Sequence, residues 1–288
     1  MRANSSTWRE DVAPGRKGAG SSWDVLLAAI AGVVALAATL LPAIPQDPGY
    51  HHFADGRTLL GIPNALDVLS NAAFAVVGAA GLVAALRRGA VPDRRARAAW
   101  LVLFGAVALT SAGSALYHLA PSDDGLVWDR IPMAVGFMAL VAVLAGERFG
   151  AAVGRHLLPR LVLLGVASVA WWYLGAVRGG GNLLPYLAVQ FGALAAIPAL
   201  LAGRHAIPGP RAPWFAALAL YVLAKILELR DAAVLAVLGV SGHTLKHLAA
   251  AAAIGVLASE LWRRGNVAQR PAAAGLPSSM LEKSRGDR

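Results

Sequence analysis

Long apolar runs alternate in this chain with short segments rich in Arg, Pro, Gly and Asp. Eight of them approach the roughly 20 residues of helix that a bilayer core requires. They predict spans at 25–41, 64–86, 98–119, 128–146, 161–177, 183–202, 213–229 and 243–262. Pro185 and Pro213 fall near helix starts, where a missing N–H costs little, whereas Pro198 is expected to kink its helix. The run 232–240 is too short to span and is expected to lie on the surface or extend a loop. Ser241 has the side chain of an N-cap for the last helix. Glycine and alanine share the apolar runs, as in GAAGLVAAL, where small residues let helices approach closely. No fixed-period repeat and no soluble domain is evident.

Composition agrees, at 57% hydrophobic residues and a mean hydropathy of +0.58. Together they specify an all-α integral membrane protein. With no cysteine, disulfides, thiolate metal sites and cysteine nucleophiles are excluded. Charge then fixes the orientation. The N-terminal tail holds Arg2, Arg9, Arg16 and Lys17. The even-numbered loops hold Arg87, Arg88, Arg94, Arg95 and Arg97, then Arg148, Arg155 and Arg160, then Arg204 and Arg211. The C-terminal tail holds Arg263, Arg264, Arg270, Lys283, Arg285 and Arg288. The other side has only Arg57, Arg130, Arg178, Lys225, Arg230 and Lys246. Under the positive-inside rule both termini are expected in the cytoplasm. The net charge of +10 follows from this topology, without a nucleic-acid partner. Both tails are polar and expected to be disordered. The first run is long for a signal sequence and follows an extended leader, so an uncleaved anchor is expected.

Three polar groups then stand out. His118 ends the third span with Ser114 one turn before it, and Asp129 opens the fourth after the loop PSDDGLV. His243 and His247 lie four apart at the start of the eighth, on one helix face. The topology puts all five in one shallow layer near the outer face, with His247 about 6 Å deeper than His243. Alone, His118 reads as an interfacial residue, and the His-x3-His pair reads equally as packing plus a hydrogen bond. At one depth, with Ser114 and Asp129, the three imidazoles read as ligands of zinc with a fourth position open to water.

The remaining polar residues carry weaker expectations. His51 and His52, in YHHFADGRT, read as solvent-exposed rather than as ligands, and His205 falls on the cytoplasmic side. Asn64, Asp67 and Asn71 make a polar stripe on the second span. The stripe fits support of the metal site, a second cation, or an interhelical hydrogen-bond seam. Lys225 and Glu228 have the spacing of an ion pair, and Gln190 and Glu260 have no evident partner. Trp128, Trp171, Trp172 and Trp262 fit the aromatic belts at the two interfaces.

Ser-x3-His, then Asp at the head of the next helix, then His-x3-His in the last helix, resembles the alkaline ceramidases. These belong to a superfamily of seven-helix membrane hydrolases that includes the adiponectin-receptor-like proteins. Asp67-Val-Leu-Ser-Asn71 is also similar to that family's Ser-Asn helix, and the resemblance covers roughly 64–262. It implies that His118, His243 and His247 bind Zn²⁺, with Ser114 and Asp129 beside the metal-bound water. It implies a tail at 1–22, an additional helix at 23–45, a seven-helix catalytic membrane domain at 46–264 and a tail at 265–288. The additional helix departs from the family. The family's acidic, Trp-containing calcium-binding segment also has no aligned counterpart. Asp47 and Asp55 occupy the corresponding loop but no Glu does, so Ca²⁺ is doubtful.

An open three-histidine zinc site can bring its water's pKa to about 7. Asp129 is the expected base, then acid, and Ser114 the partner of the oxyanion or the attacking water. A site just under the interface suits a bilayer lipid with an N-acyl linkage, ceramide by resemblance. Three rivals remain open on sequence: a bis-histidine haem electron-transfer protein, a transporter, and a receptor with structural zinc. A transporter normally places polar groups through the midplane, and here the centres of the spans are nearly all apolar.

Overall fold

The computed structural model describes residues 19–91, 93–203 and 207–269. His205 and most of the two expected tails lie outside these residues. The described part is all-α, with eight helices long and apolar enough to cross a membrane. They are α1 (Ala19–Leu40), the broken pair α2 (Ala65–Ser70) and α3 (Ala72–Leu86), α4 (Arg94–Leu119), α5 (Asp123–Phe149), α6 (Ala151–Ala176), α7 (Leu184–Ala202), α8 (Ala212–Leu229) and α10 (Gly242–Gln269). The short α9 (Asp231–Leu238) follows α8 and has no buried residue, matching the expectation for 232–240.

Several helices outrun their apolar stretches. The 26 residues of α4 extend about 39 Å, longer than a hydrocarbon core of about 30 Å. Arg94, Arg95 and Arg97, expected in a loop, form its first turn, and Asp93 caps it by accepting the Arg95 N–H at 2.7 Å. Likewise Gly150 alone separates α5 from α6, so Arg155 and Arg160 are helical. The C-terminal tail expected from 265 is helical to Gln269. Ser122 caps α5 through the Gly125 N–H, with Asp123 and Asp124 favourably placed at its N-terminus. Pro198 lies within α7, as Pro132 and Pro159 lie within α5 and α6.

The bundle core is formed by α3, α4, α5, α6, α8 and α10 in contact. Apolar side chains such as Phe104, Leu144, Leu257 and Leu261 fill its interior. The additional helix α1 is nearly all exposed along its length and is tethered at its ends. Asp24 meets His156 and Arg160, both at 2.8 Å, and Asn182 donates to the Ala38 carbonyl at 2.9 Å.

Four expectations need correction. His51 is half-buried, with Nδ1 3.1 Å from the Tyr117 hydroxyl and Nε2 3.3 Å from Asp123, so only His52 is exposed. Trp172 is fully buried and belongs to the core rather than to an aromatic belt. Gln190 donates to the Tyr221 hydroxyl at 2.6 Å. Glu260 pairs with Arg263 and Arg264, one helical turn ahead of it. The expected ion pair of Lys225 with Glu228 is present, and Lys246 joins it at 2.7 Å.

Candidate metal centre

Two close backbone approaches set the positions of the polar residues. A Cβ on Gly113 would stand 2.1 Å from the Trp128 carbonyl oxygen, so only glycine lets α4 and α5 touch there. The next residue on each helix is Ser114 and Asp129, and both line the same cavity. The Asp129 carboxylate oxygen Oδ1 is buried with no protein partner. At the start of α10, a Cβ on Gly242 would stand 2.1 Å from the Leu227 carbonyl oxygen. This contact draws the end of α8 against the first turn of α10. There Asp231 Oδ1 accepts the His243 N–H at 2.8 Å, and its Oδ2 accepts the Ala54 N–H at 3.2 Å.

Ser241 is the N-cap expected, accepting the Thr244 N–H at 2.9 Å. The polar stripe of the second span is an interhelical seam. Asp67 Oδ1 accepts from Thr244 Oγ1 at 2.6 Å and from Ser241 Oγ at 3.1 Å, locking α2 to α10. Asn64 donates to the His118 carbonyl at 2.9 Å, fixing the end of α4. Asn71 Nδ2 and Ser70 Oγ both donate to the Asp67 carbonyl. Side chains thus replace backbone donors where α2 gives way to α3.

These anchors bring His118, His243 and His247 together. One ligand atom from each lies within 4.8 Å of the other two, and all three residues are buried. His118 Nε2 and His243 Nε2 are 3.2 Å apart. Tetrahedral zinc with Zn–N bonds of 2.0–2.1 Å separates its ligand atoms by about 3.3 Å. Ser70 fixes the third imidazole. Its hydroxyl proton goes to the Asp67 carbonyl at 3.0 Å, so its oxygen accepts from His247 Nδ1–H at 2.8 Å. His247 then presents the lone pair of Nε2, the tautomer a metal requires. Phe53 packs on His118 and His243, and Phe74 on His247, which shields the group from water. Three converging imidazoles with one tautomer fixed fit a metal ion.

The chain matches no protein family and no curated protein. The reading of this centre therefore rests on its own geometry and on the order of its motifs.

His243, His247, Ser114 and Asp129 line a cavity of about 640 Å³. Its near end carries Gln46, Tyr50, Arg130, Lys225, Glu228 and Lys246. Its far end is apolar, lined by Ile197, Trp214 and Leu257. From His243 to Leu257 the cavity follows α10 for about 21 Å of helix rise. Burial raises the pKa of the Tyr50 phenol, which stays neutral. Asp47 accepts the Gly49 N–H, and Arg57, hydrogen-bonded to Asp55, holds that carboxyl below its usual range.

Sequence reading did not single out Ser70, Asp231 or Phe53 as parts of this centre. Ser70 carried a signal, since it stands one turn from Asp67 in the quoted Asp67–Asn71 segment. Asp231 and Phe53 act through folding of loops onto α10 and leave no local pattern. Ser70→Ala should weaken zinc binding by about 10- to 100-fold, as loss of a ligand's orienting partner does elsewhere. Competition with a fluorescent zinc chelator measures this, with the helical circular dichroism unchanged.

Proposed function

We propose that the protein is a zinc-dependent intramembrane amidase that hydrolyses a ceramide-like N-acyl lipid to a free fatty acid and a long-chain amine. The observation that carries this reading is the convergence of three imidazoles, two of which, His243 and His247, line the polar end of an apolar cavity with Ser114 and Asp129. The bulk of the cavity wall is hydrocarbon, which suits an acyl chain. When bound at the histidines, zinc would polarise the scissile carbonyl and acidify a water. Asp129 Oδ1 accepts the proton from the attacking water and returns it to the leaving amine. Asp129 and Ser114 both line the cavity, and Asp129 Oδ1 has no protein partner. No serine nucleophile is required, since the three histidines are engaged with the metal. The distribution of Arg and Lys supports a reading with both termini in the cytoplasm and the histidine end at the opposite face.

Two imidazole nitrogens 3.2 Å apart leave no room for a haem plane between them, which disfavours bis-histidine haem ligation by this pair. The test is fatty-acid release by the purified, zinc-replete protein from a panel of N-acyl lipids in mixed micelles. Release from at least one lipid amide, without a Soret band in the visible spectrum, is expected. Failure on every amide of the panel would overturn the proposal.

A further inference from the structure

Arg130 follows Asp129 on α5 and is 5% exposed. A guanidinium at this depth is costly unless something answers its charge and its five donors. Its Nη2 donates to Gln46 Oε1 at 2.6 Å, and its Nη1 is buried with no protein partner. Its Cζ lies 4.3 Å from the ring centre of Trp172, 5.1 Å from that of Tyr186 and 5.7 Å from that of Tyr50. These rings attract the cation through their π faces but offer it no negative charge.

The other cations at this end of the cavity each touch a carboxylate. Lys225 and Lys246 share the two oxygens of Glu228. Among the described residues, no hydrogen bond or ion pair joins Arg130 to Asp129, although the two opposite charges attract, and Asp129 Oδ1 has no protein partner. Arg130 nevertheless lines the same cavity as Asp129, His243 and His247. A caged guanidinium with an edge nitrogen unpartnered is built to take a planar or tetrahedral oxyanion through charge-assisted hydrogen bonds.

We propose that Arg130, caged by Tyr50, Trp172 and Tyr186, binds an oxyanion on the head group of the lipid, so that the substrates are N-acyl lipids whose amine portion carries a carboxylate or a phosphate. The assignment rests on the amidase reading, and it orients the substrate. The acyl chain runs down the apolar cavity, the amide lies at the histidines and the acidic group reaches Arg130.

The test is a titration of the purified full chain in detergent, read by tryptophan fluorescence, with two matched pairs of ligands. N-oleoylglycine is compared with its methyl ester for a carboxylate, and N-oleoylethanolamine phosphate with N-oleoylethanolamine for a phosphate. At least one acidic member should bind about tenfold or more tightly than its neutral partner. Arg130→Gln should remove that difference and Arg130→Lys should keep part of it. Oleate binding should be unaffected by Arg130→Gln, because its carboxylate would sit at the histidines. Equal affinity of acidic and neutral members in the wild-type protein would overturn the inference without any variant. An equal loss of oleate affinity in Arg130→Gln would also overturn it, by assigning the cage to the fatty-acid product. If an acidic lipid shows the Arg130-dependent preference but is never cleaved, the head-group site stands and the amidase reading fails.

Discussion

Replacing His118 or His247 by Ala is expected to remove bound zinc and lipid-amide turnover together. The three imidazoles come from two helices, α4 and α10, and each is buried among groups that fix it. His118 is held at its carbonyl by Asn64, and His247 at its ring by Ser70. Removing either leaves two imidazoles on a site whose geometry is already set, and no cysteine or fourth histidine stands in the group to replace the lost ligand. The metal's share of transition-state stabilisation amounts to several kcal/mol, so turnover should fall on the order of a thousandfold or more. His156→Ala is the control, since His156 bonds Asp24 and lies outside the histidine group. Metal content by mass spectrometry and fatty-acid release from the same preparations check both halves of the expectation. Either variant keeping full zinc occupancy and turnover would contradict it.

The second large effect separates chemistry from metal binding. Asp129→Asn keeps the volume of the side chain but removes the carboxylate proposed as the proton acceptor. Turnover is expected to fall by between about 10² and 10⁴, the usual range for a lost general base, while zinc stoichiometry stays that of the wild type. The separation is possible because Asp129 belongs to α5, whereas all three histidines belong to α4 and α10. An Asn variant with near wild-type turnover would remove Asp129 from the chemistry. One that lost zinc as well would make it a structural support of the metal centre.

The number of spans was legible because hydropathy reports directly what a bilayer requires. Helix ends were not, since hydropathy marks where the apolar stretch stops and α4 continues into Arg94, Arg95 and Arg97 under an Asp93 cap. The convergence of His118 with His243 and His247 was legible through topology, because loop charges and span parity place the end of one helix beside the start of another. The supporting residues were harder to see. Ser70 reaches His247 across 177 positions, and Asp231 reaches His243 after α9 has folded back. Arg130 read as one more charge at the outer end of a helix, because nothing local shows that Trp172 and Tyr186 close around it from α6 and α7. Trp172 was misplaced for the same reason, since an aromatic near a span end reads as a belt residue until its neighbours are known.

His118, His243 and His247 are proposed to hold one zinc ion with a coordination position left open. Zinc K-edge X-ray absorption on the purified wild-type protein tests this proposal most directly. The expected result is about one zinc per chain, four-coordinate, with three imidazole nitrogens and one oxygen at about 2.0–2.1 Å. A first shell with fewer than three imidazoles, or no stoichiometric zinc in protein purified without chelator, would contradict it.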